Sequence, residues 1–276
     1  MNKLFSSNCV CSVVKQQFIP TIIYRNETVF KNYNGLVIAK CQHCGMLKTF
    51  SSNNKIKVTP EISEVEHYEE NRQDFQNSFE ELVNRVKVYI KSGSVLEVGA
   101  SSGNLMRVFQ VQGFDVSGIE PNRPAFNVLT KQFGQRAYYG YLKDFIIKNK
   151  VQFDLVIYNH VLEHVENPNN ELNLIKQVLK KGGLLIVGVP NCDNIVFKVR
   201  RKFWESLLPN QHIWHFSTKH LFALLTSNGF RILNISYNNH KRKDYPLIKK
   251  IYFWFLVGFN RLKGSGEAVL VIAIKL

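Results

Sequence analysis

The chain contains 276 residues, of which 45% are hydrophobic and 21% charged, and its formal net charge at pH 7 is +15. The length suits one full α/β domain with a small accessory segment, and the apolar content allows a sizeable core. No apolar run reaches the length of a membrane span, and residues 1–11 lack the apolar core of a signal peptide. The sequence therefore predicts a cytoplasmic protein whose five cysteines do not form structural disulfides.

The basic charge favours acidic partners, which include nucleic acid, an anionic membrane surface and a phosphorylated substrate. Lysine and arginine are spread along much of the chain, so a solvated basic surface without a specific partner is an equally good explanation. Charge alone does not select a partner.

Two close cysteine pairs lie near the N-terminus. They are Cys9 and Cys11, in a C-x-C spacing, and Cys41 and Cys44, in a C-x-x-C-G spacing. Tight turns at such pairs direct thiolates to one tetrahedral ion, so residues 1–52 are predicted to form a zinc-knuckle module. The first pair departs from the usual spacing, and His43 is a substitute ligand. The alternative is a metal-free knuckle with reduced cysteines in a small core.

Residues 53–92 are predicted to form a polar linker followed by a helix. Apolar residues recur at helical spacing over residues 75–90, and Gly93 follows before a buried strand. The remaining residues, 93–276, are assigned to a single α/β domain.

A glycine turn joins a buried strand, residues 95–98, to a helix. Gly99 and Gly103 punctuate the turn, and a second strand beyond the helix ends at Glu120. Strand, turn, helix, strand and acid form the layout of a nucleoside site in a parallel sheet, in which Glu120 accepts hydrogen bonds from ribose. The last two glycine positions of the dinucleotide pattern are not occupied by glycine, which argues against NAD or FAD as the ligand. The turn does not end in Gly-Lys-Ser/Thr, so the sequence does not indicate a P-loop.

Strand-like and helix-like segments alternate after Glu120. Strands are predicted at 136–139, 153–158, 184–189, 230–236 and 268–276, and helices at 124–133, 168–179 and 219–227. Gly182 and Gly183 are predicted to form a tight turn before the strand at 184–189.

The spacing Glu97-x-Gly99-x-x-x-Gly103 resembles motif I of the class I S-adenosylmethionine (SAM)-dependent methyltransferases. The segments F-D-L-V…H-V-L-E-H-V at 153–165, L-K-K-G-G-L-L at 179–185 and H-I-W-H-F-S-T at 212–218 resemble later motifs of their quinone, sugar and natural-product branches. The resemblance covers residues 94–276 well and 9–50 loosely. It implies a Rossmann-like, seven-stranded, mostly parallel sheet with an antiparallel last strand and helices on both faces.

The resemblance also implies SAM as the cofactor and a set of residues around it. In that set Glu97, Gly99 and Gly103 shape the methionine end, and Tyr141 and Leu142 cover the adenine unless they only form a surface turn. The full predicted set is Glu97, Gly99, Ala100, Ser101, Ser102, Gly103, Glu120, Pro121, Tyr141, Leu142, Asn159 and His160.

Methyl transfer is an in-line displacement, so most of the catalysis is proximity and orientation. A base is needed only when the nucleophile must lose a proton, and histidine has a suitable intrinsic pKa. The candidate bases are His160, His215 and His164, with His212 and Glu163 nearby. Each of them has an alternative structural role in orienting its loop.

The predicted function is SAM-dependent O- or C-methylation of a small molecule, namely a sugar, sugar nucleotide, glycan or lipid-linked precursor. An RNA methyltransferase in which the cysteine module binds the RNA remains an alternative. The sequence disfavours nucleic acid as a partner. Methyltransferases that act on an amino group of nucleic acid usually carry N/D-P-P-Y/F after the fourth strand, and this chain has Asn-His-Val-Leu there. A non-catalytic SAM-binding or zinc-dependent interaction module is the other alternative.

Residues 239–264 combine basic and aromatic side chains in an insertion between the last two strands. Such a segment suits a helix lying in an anionic membrane interface, which predicts peripheral contact at the inner face of the membrane. A lid over the active site, a dimer surface and a nucleic-acid patch are the alternatives.

Overall fold

The structure is a computed structural model that describes residues 4–24, 33, 35–51, 72–240, 242 and 245–276. The strands are β1 (Phe5–Cys9), β2 (Ser12–Ile23), β3 (Leu36–Cys41), β4 (Leu47–Ser51), β5 (Ser94–Val98), β6 (Asp115–Glu120), β7 (Ala137–Tyr139), β8 (Phe153–Asn159), β9 (Leu179–Pro190), β10 (Trp214–His215), β11 (Phe230–Asn238) and β12 (Ala268–Lys275). The α-helices are α1 (Arg72–Val86), α2 (Asn104–Val111), α3 (Arg123–Phe133), α4 (Leu142–Lys148), α5 (Pro168–Val178), α6 (Ile195–Arg200), α7 (Thr218–Ser227) and α8 (Leu247–Leu262).

The larger sheet has seven strands in the order β11-β12-β9-β8-β5-β6-β7. Strands β5 to β9 pair in parallel, whereas β12 runs antiparallel to both β9 and β11. The central strands are apolar on both faces, as expected when helices cover the two sides of a parallel sheet. The predicted Rossmann-like sheet with an antiparallel last strand is confirmed.

Two hydrophobic clusters cover the faces of this sheet. One packs α1, α2 and α3 through residues such as Phe79, Leu105 and Leu129. The other packs α4, α5 and α7 and also contains Phe18 and Met46 from the N-terminal segment. The N-terminal segment therefore shares its core with one face of the α/β domain.

The N-terminal strands form a second sheet, in the order β1-β2-β3-β4-β10. The last strand comes from far along the chain, because Trp214 pairs antiparallel with Lys48 and His215 with Leu47. The cysteine-containing sheet is thus completed by a strand that lies within the histidine motif at 212–218. The pairing of β10 with β4 therefore joins the N-terminal sheet to the α/β domain.

Two predicted elements differ from the structure at their ends. The helix predicted over residues 75–90 ends at Val86, and Val88 is exposed because the chain turns there toward Gly93 and β5. The turn predicted at Gly182 and Gly183 is a bulge inside β9, since the β8 partner of β9 changes from Leu179 to Leu184 across it. The predicted linker at residues 53–71 lies outside the described residues.

The insertion between β11 and β12 contains α8. Residue 238 of β11 pairs with residue 268 of β12, and residue 268 pairs with Pro190 at the end of β9. The insertion therefore leaves and re-enters the sheet at the edge formed by the carboxyl ends of the parallel strands. Among the described residues, no helix combines the length and the apolar character needed to cross a bilayer.

Candidate active site

The glycine turn after β5 adopts backbone conformations that favour glycine. Gly99 has a φ of 72° and Gly103 a φ of 84°, both in the left-handed region. A Cβ on Gly99 would lie 2.5 Å from Val161 Cγ2, and one on Gly103 would lie 2.5 Å from Phe133 Cε2. Both glycines are therefore required by conformation and by close packing.

Glu120 is held by the backbone around the glycine turn. Its Oε2 accepts a hydrogen bond from the Ser101 amide at 2.7 Å, and its Oε1 accepts one from the Asn122 amide at 2.6 Å. The Ala100 amide donates to the Ile119 carbonyl at 3.0 Å. The predicted turn amides at Ala100 and Ser101 are thus engaged within the protein in this conformation.

A cleft of about 290 Å³ opens above the glycine turn. Its walls are Phe79, Glu97, Gly99, Ala100, Ser101, Ser102, Asn104, Leu105 and Asn159. Six of these belong to the predicted cofactor set, whereas Phe79, Asn104 and Leu105 do not. Phe79 and Leu105 occupy apolar positions at helical spacing. This pattern predicts packing in the core and not contact with a ligand.

Glu97 gives this cleft a buried acid. Burial and, to a smaller extent, the nearby charge of Glu120 together raise the pKa of Glu97 to about 8. Its Oε2 is buried and accepts no hydrogen bond. A cationic ligand entering the cleft would meet two carboxyl groups.

A second cavity, of about 770 Å³, lies on the other side of Glu120. It is lined by Pro121, Tyr139, Gly140, Tyr141, Asp144, Ile147 and Lys148. Pro121 and Tyr141 of the predicted adenine side are therefore together. Leu142 is only 1% exposed and packs into the core beneath this loop, so it does not line the cavity.

The end of β8 forms the remaining wall. Gly188 of β9 makes room for Asn159, because a Cβ on Gly188 would lie 2.6 Å from Asn159 Oδ1. The next residue, His160, has a φ of 57° and a side chain that is 44% exposed. Its Nδ1 lies 3.3 Å from Glu163 Oε1.

The predicted bases His164 and His215 lie deeper than His160. His164 follows Glu163 in a short 3-10 turn, and its Nδ1 lies 3.1 Å from the Gln211 carbonyl. His215 is 3% exposed in β10, where its Nε2 contacts Thr49 Oγ1 at 2.7 Å. Burial lowers the pKa of His215 to about 3. Neither histidine lines the two cavities.

The four N-terminal cysteines converge in space. The Sγ atoms of Cys9, Cys11, Cys41 and Cys44 all lie within 4.8 Å of one another, and all four cysteines are free thiols. Four thiolates on one Zn²⁺ stand about 3.8 Å apart, given Zn–S bonds of about 2.3 Å. The Met46 amide lies 3.4 Å from the Cys44 sulfur. This donor set fits a structural zinc ion, and His43 is not part of the cluster.

The fold places the glycine turn, the buried acid Glu97 and the cleft at the carboxyl edge of a Rossmann-like sheet. The model of a methyltransferase domain family matches residues 68–235, so the chain belongs to that family. Together with its sheet topology, this makes it a class I SAM-dependent methyltransferase, with SAM as its cofactor.

Three similar proteins illustrate the family. An uncharacterized protein of Methanocaldococcus jannaschii is 24% identical over 177 residues, which cover 64% of this chain and 82% of that protein. A ubiquinone biosynthesis O-methyltransferase of Glaesserella parasuis is 30% identical over 106 residues, or 35% of this chain and 45% of that protein. The structure of the plantazolicin methyltransferase BamL, in complex with a substrate analogue and S-adenosylhomocysteine (SAH), matches with a TM-score of 0.54 and 13% identity over 78% of this chain and 91% of that chain. At this identity the last match shows the fold alone.

Proposed function

We propose that this methyltransferase methylates an oxygen or carbon of a small-molecule acceptor, namely a sugar, sugar nucleotide, glycan or lipid-linked precursor. The observation that carries the proposal is the shared edge of the sheet. The cleft ends at Asn159 on the carboxyl edge of β8, and the insertion that contains α8 leaves the sheet at the same edge. The ubiquinone biosynthesis O-methyltransferase named above is a relative from small-molecule biosynthesis, which supports this class of acceptor.

The two carboxyl groups of the cleft suit the charge of the cofactor. SAM carries a sulfonium and an ammonium group. Glu120, held against the glycine turn, would supply negative charge near them, and Glu97 would supply a second charge in the cleft once it ionises. Glu120 keeps its orientation through two backbone hydrogen bonds. We assign the ribose hydroxyls to Glu120 and the methionine end to the region between Glu97 and Asn159.

His160 is the proposed base when the acceptor nucleophile carries a proton. It follows Asn159 directly and is partly exposed, whereas His164 and His215 lie behind it. His160 would take the proton of the acceptor hydroxyl or enolisable carbon. SAM, when bound, would supply the activated methyl group, and the electron pair of the broken carbon–sulfur bond would stay on the departing S-adenosylhomocysteine.

Peripheral membrane contact through α8 is the second part of the proposal. The helix exposes apolar side chains along one side, namely Leu247, Ile248, Ile251, Trp254, Phe255, Phe259 and Leu262. It contains Lys249, Lys250 and Arg261 but no acidic residue. An amphipathic helix of this composition suits an anionic interface, which would bring a lipid-linked acceptor to the edge that carries the cleft.

Zn²⁺ in the cysteine cluster is the third part. The ion would hold the β1–β2 turn, which carries Cys11, to the knuckle after β3, which carries Cys41 and Cys44. Its role there is structural, because four protein thiolates leave no open coordination position. The sheet that it stabilises pairs with β10 and so supports the histidine loop.

Radiolabelled methyl transfer from SAM tests the proposed function. Acceptor pools of sugar nucleotides, polyprenyl-phosphate-linked saccharides, quinone-like lipids and RNA are compared with wild-type enzyme and His160→Ala. We expect transfer to one small-molecule pool, lowered about 100-fold or more in the variant, with SAM affinity retained in calorimetry. Transfer to RNA alone, or a folded wild type that does not bind SAM, would overturn the proposal.

A further inference from the structure

A cluster of three potential metal ligands lies behind His160, apart from the cysteines. Glu163, His164 and His212 each offer one ligand atom, and these atoms all lie within 4.8 Å of one another. Glu163 and His164 come from the turn after β8, and His212 comes from the segment before β10. The backbone joins the two segments, since the Ile213 amide donates to the Glu163 carbonyl at 2.9 Å.

The Glu163 carboxylate is buried without the partners that such a group needs. Its side chain is 1% exposed, and neither oxygen accepts a hydrogen bond. The ion-pair contact from His160 Nδ1, at 3.3 Å, reaches only Oε1. A buried carboxylate that is paired on one side only is costly, which indicates a missing cation.

The two histidines of the cluster contact each other, and a backbone group orients one of them. His164 Nδ1 lies 3.1 Å from the Gln211 carbonyl, which can only accept, so Nδ1 carries the proton and Nε2 keeps its lone pair. The His212 ring packs edge-on against the His164 ring, with 4.8 Å between the two ring centroids. A backbone acceptor on the second ring nitrogen is the usual support of metal-binding histidines.

The N-terminal sheet also supports the cluster. The Thr49 hydroxyl donates to the His212 carbonyl at 2.9 Å and, having a single proton, accepts from His215 Nε2 at 2.7 Å. The Thr49 amide donates to the Ile213 carbonyl at 2.9 Å. His212 is therefore fixed from β4 by hydrogen bonds to its own carbonyl and to the carbonyl of the next residue.

We propose that Glu163, His164 and His212 bind a divalent first-row transition metal, Zn²⁺ or Fe²⁺. Two histidines and one carboxylate are a ligand set that both ions use when a coordination position stays open. Ligand atoms on such an ion stand about 3.4 Å apart, so small side-chain rotations close the site. The open position would take water or, resting on the proposed function, an oxygen of the acceptor.

Metal analysis of the full chain tests this site without any methyl acceptor. Untagged wild type and the double variant Cys41→Ser/Cys44→Ser are analysed for zinc and iron by mass spectrometry after aerobic and anaerobic purification. We expect the double variant to keep about one equivalent of metal and to bind Co²⁺ without the thiolate charge-transfer band. A wild type that holds at most one equivalent of metal, with Glu163→Gln holding the same amount, would overturn the proposal.

Single substitutions then identify the ligands. Glu163→Gln and His212→Gln are expected to lose that equivalent, whereas the matched control Glu171→Gln keeps it, because Glu171 accepts its hydrogen bond from Tyr158. Unchanged metal content in Glu163→Gln would contradict the assignment. If the variants do not fold, pulsed electron paramagnetic resonance of Cu²⁺ bound to the cysteine double variant decides, since imidazole nitrogens must couple to the ion and their absence refutes the site.

Discussion

Arg242 and Glu267 form a bidentate ion pair inside the protein. Nη1 lies 2.8 Å from Oε1 and Nη2 lies 2.7 Å from Oε2, and the two side chains are 7% and 0% exposed. The Arg242 guanidinium also stacks 3.9 Å above the ring of Phe253, which belongs to α8. Arg242 therefore attaches α8 to the domain. Lys241 and Lys243 of the same basic run lie outside the described residues.

Glu267→Gln is expected to destabilise the fold and loosen α8. It leaves the buried Arg242 charge without its partner, which costs about 3 kcal/mol and lowers Tm by roughly 5–10 °C. The control is Glu205→Gln, because Glu205 pairs with Arg242 at 3.3 Å but is 34% exposed and contributes less than about 1 kcal/mol. Equal Tm values for Glu267→Gln and wild type would contradict the anchoring role.

The ion pair should also fail at low pH. Burial raises the pKa of Glu267, but the Arg242 hydrogen bonds outweigh it and hold that pKa below its usual value. A depressed acid pKa contributes stability that is present above the unfolded-state value and is lost as pH falls through the folded-state value. Urea denaturation from pH 6 to pH 3 should therefore show that the free energy of unfolding falls more steeply in wild type than in Glu267→Gln. Parallel plots of this free energy against pH would argue against the ion pair.

Membrane binding by α8 should depend on its exposed aromatic residues. Trp254 is 70% and Phe255 64% exposed, and replacing either with serine should weaken binding to phosphatidylglycerol vesicles roughly 10-fold. Val111→Ser is the matched control, since Val111 is 79% exposed in α2. Vesicle flotation gives the measurement, and equal losses in the control and the α8 variants would exclude a specific surface.

Local patterns predicted the sheet and the glycine turn because their signals lie within a few residues. The apolar run of β5, the two glycines of the turn and the acid ending β6 all lie within residues 94–120. The burial of His215 was not predictable in this way. It depends on pairing of β10 with β4, which joins residues 166 positions apart. The same holds for Arg242, whose partner becomes apparent only when β12 and the insertion are placed together.

Gly99→Ala should weaken SAM binding at least about 10-fold. The added Cβ would lie 2.5 Å from Val161 Cγ2, and the φ of 72° is strained for any other residue. Gly113→Ala has a similar φ of 90° but nothing within 4 Å, so it should bind SAM normally. Calorimetry of the pair Gly99→Ala/Val161→Ala separates the two effects: partial recovery supports the steric contact, and no recovery leaves backbone strain as the cause.

Removal of zinc from the cysteine cluster should destabilise the N-terminal sheet before the α/β domain. The cluster holds the β1–β2 turn to the knuckle after β3, and β4 of the same sheet pairs with β10. A strong chelator or Cys41→Ser/Cys44→Ser is expected to release one zinc and to speed hydrogen exchange at the amides of β3, β4 and β10. Cys192→Ser is the control, because Cys192 is buried away from the cluster. Unchanged exchange after metal loss would show that the sheet does not need the ion.

Cofactor binding should tighten as pH rises from 6 to 8. Burial and the charge of Glu120 raise the pKa of Glu97 to about 8, so the acid is largely protonated at neutral pH. A cationic cofactor favours the ionised form, and binding therefore releases a proton below pH 8. The affinity should rise by up to about 10-fold per pH unit, and calorimetry in buffers of different ionisation enthalpy should detect the released proton.

Glu97→Gln isolates this effect, because the amide keeps the shape of the side chain and cannot ionise. The SAM affinity of this variant should rise less steeply with pH than that of wild type, because the contribution of Glu97 is gone. The stability of the ligand-free protein should change with pH in the opposite direction. Between pH 4.5 and 8 the folded wild type binds more protons than the unfolded chain, so its free energy of unfolding falls with pH relative to Glu97→Gln. A wild type whose affinity and stability both follow the variant across this range would show that Glu97 is ionised throughout, and that burial and the charge of Glu120 do not raise its pKa.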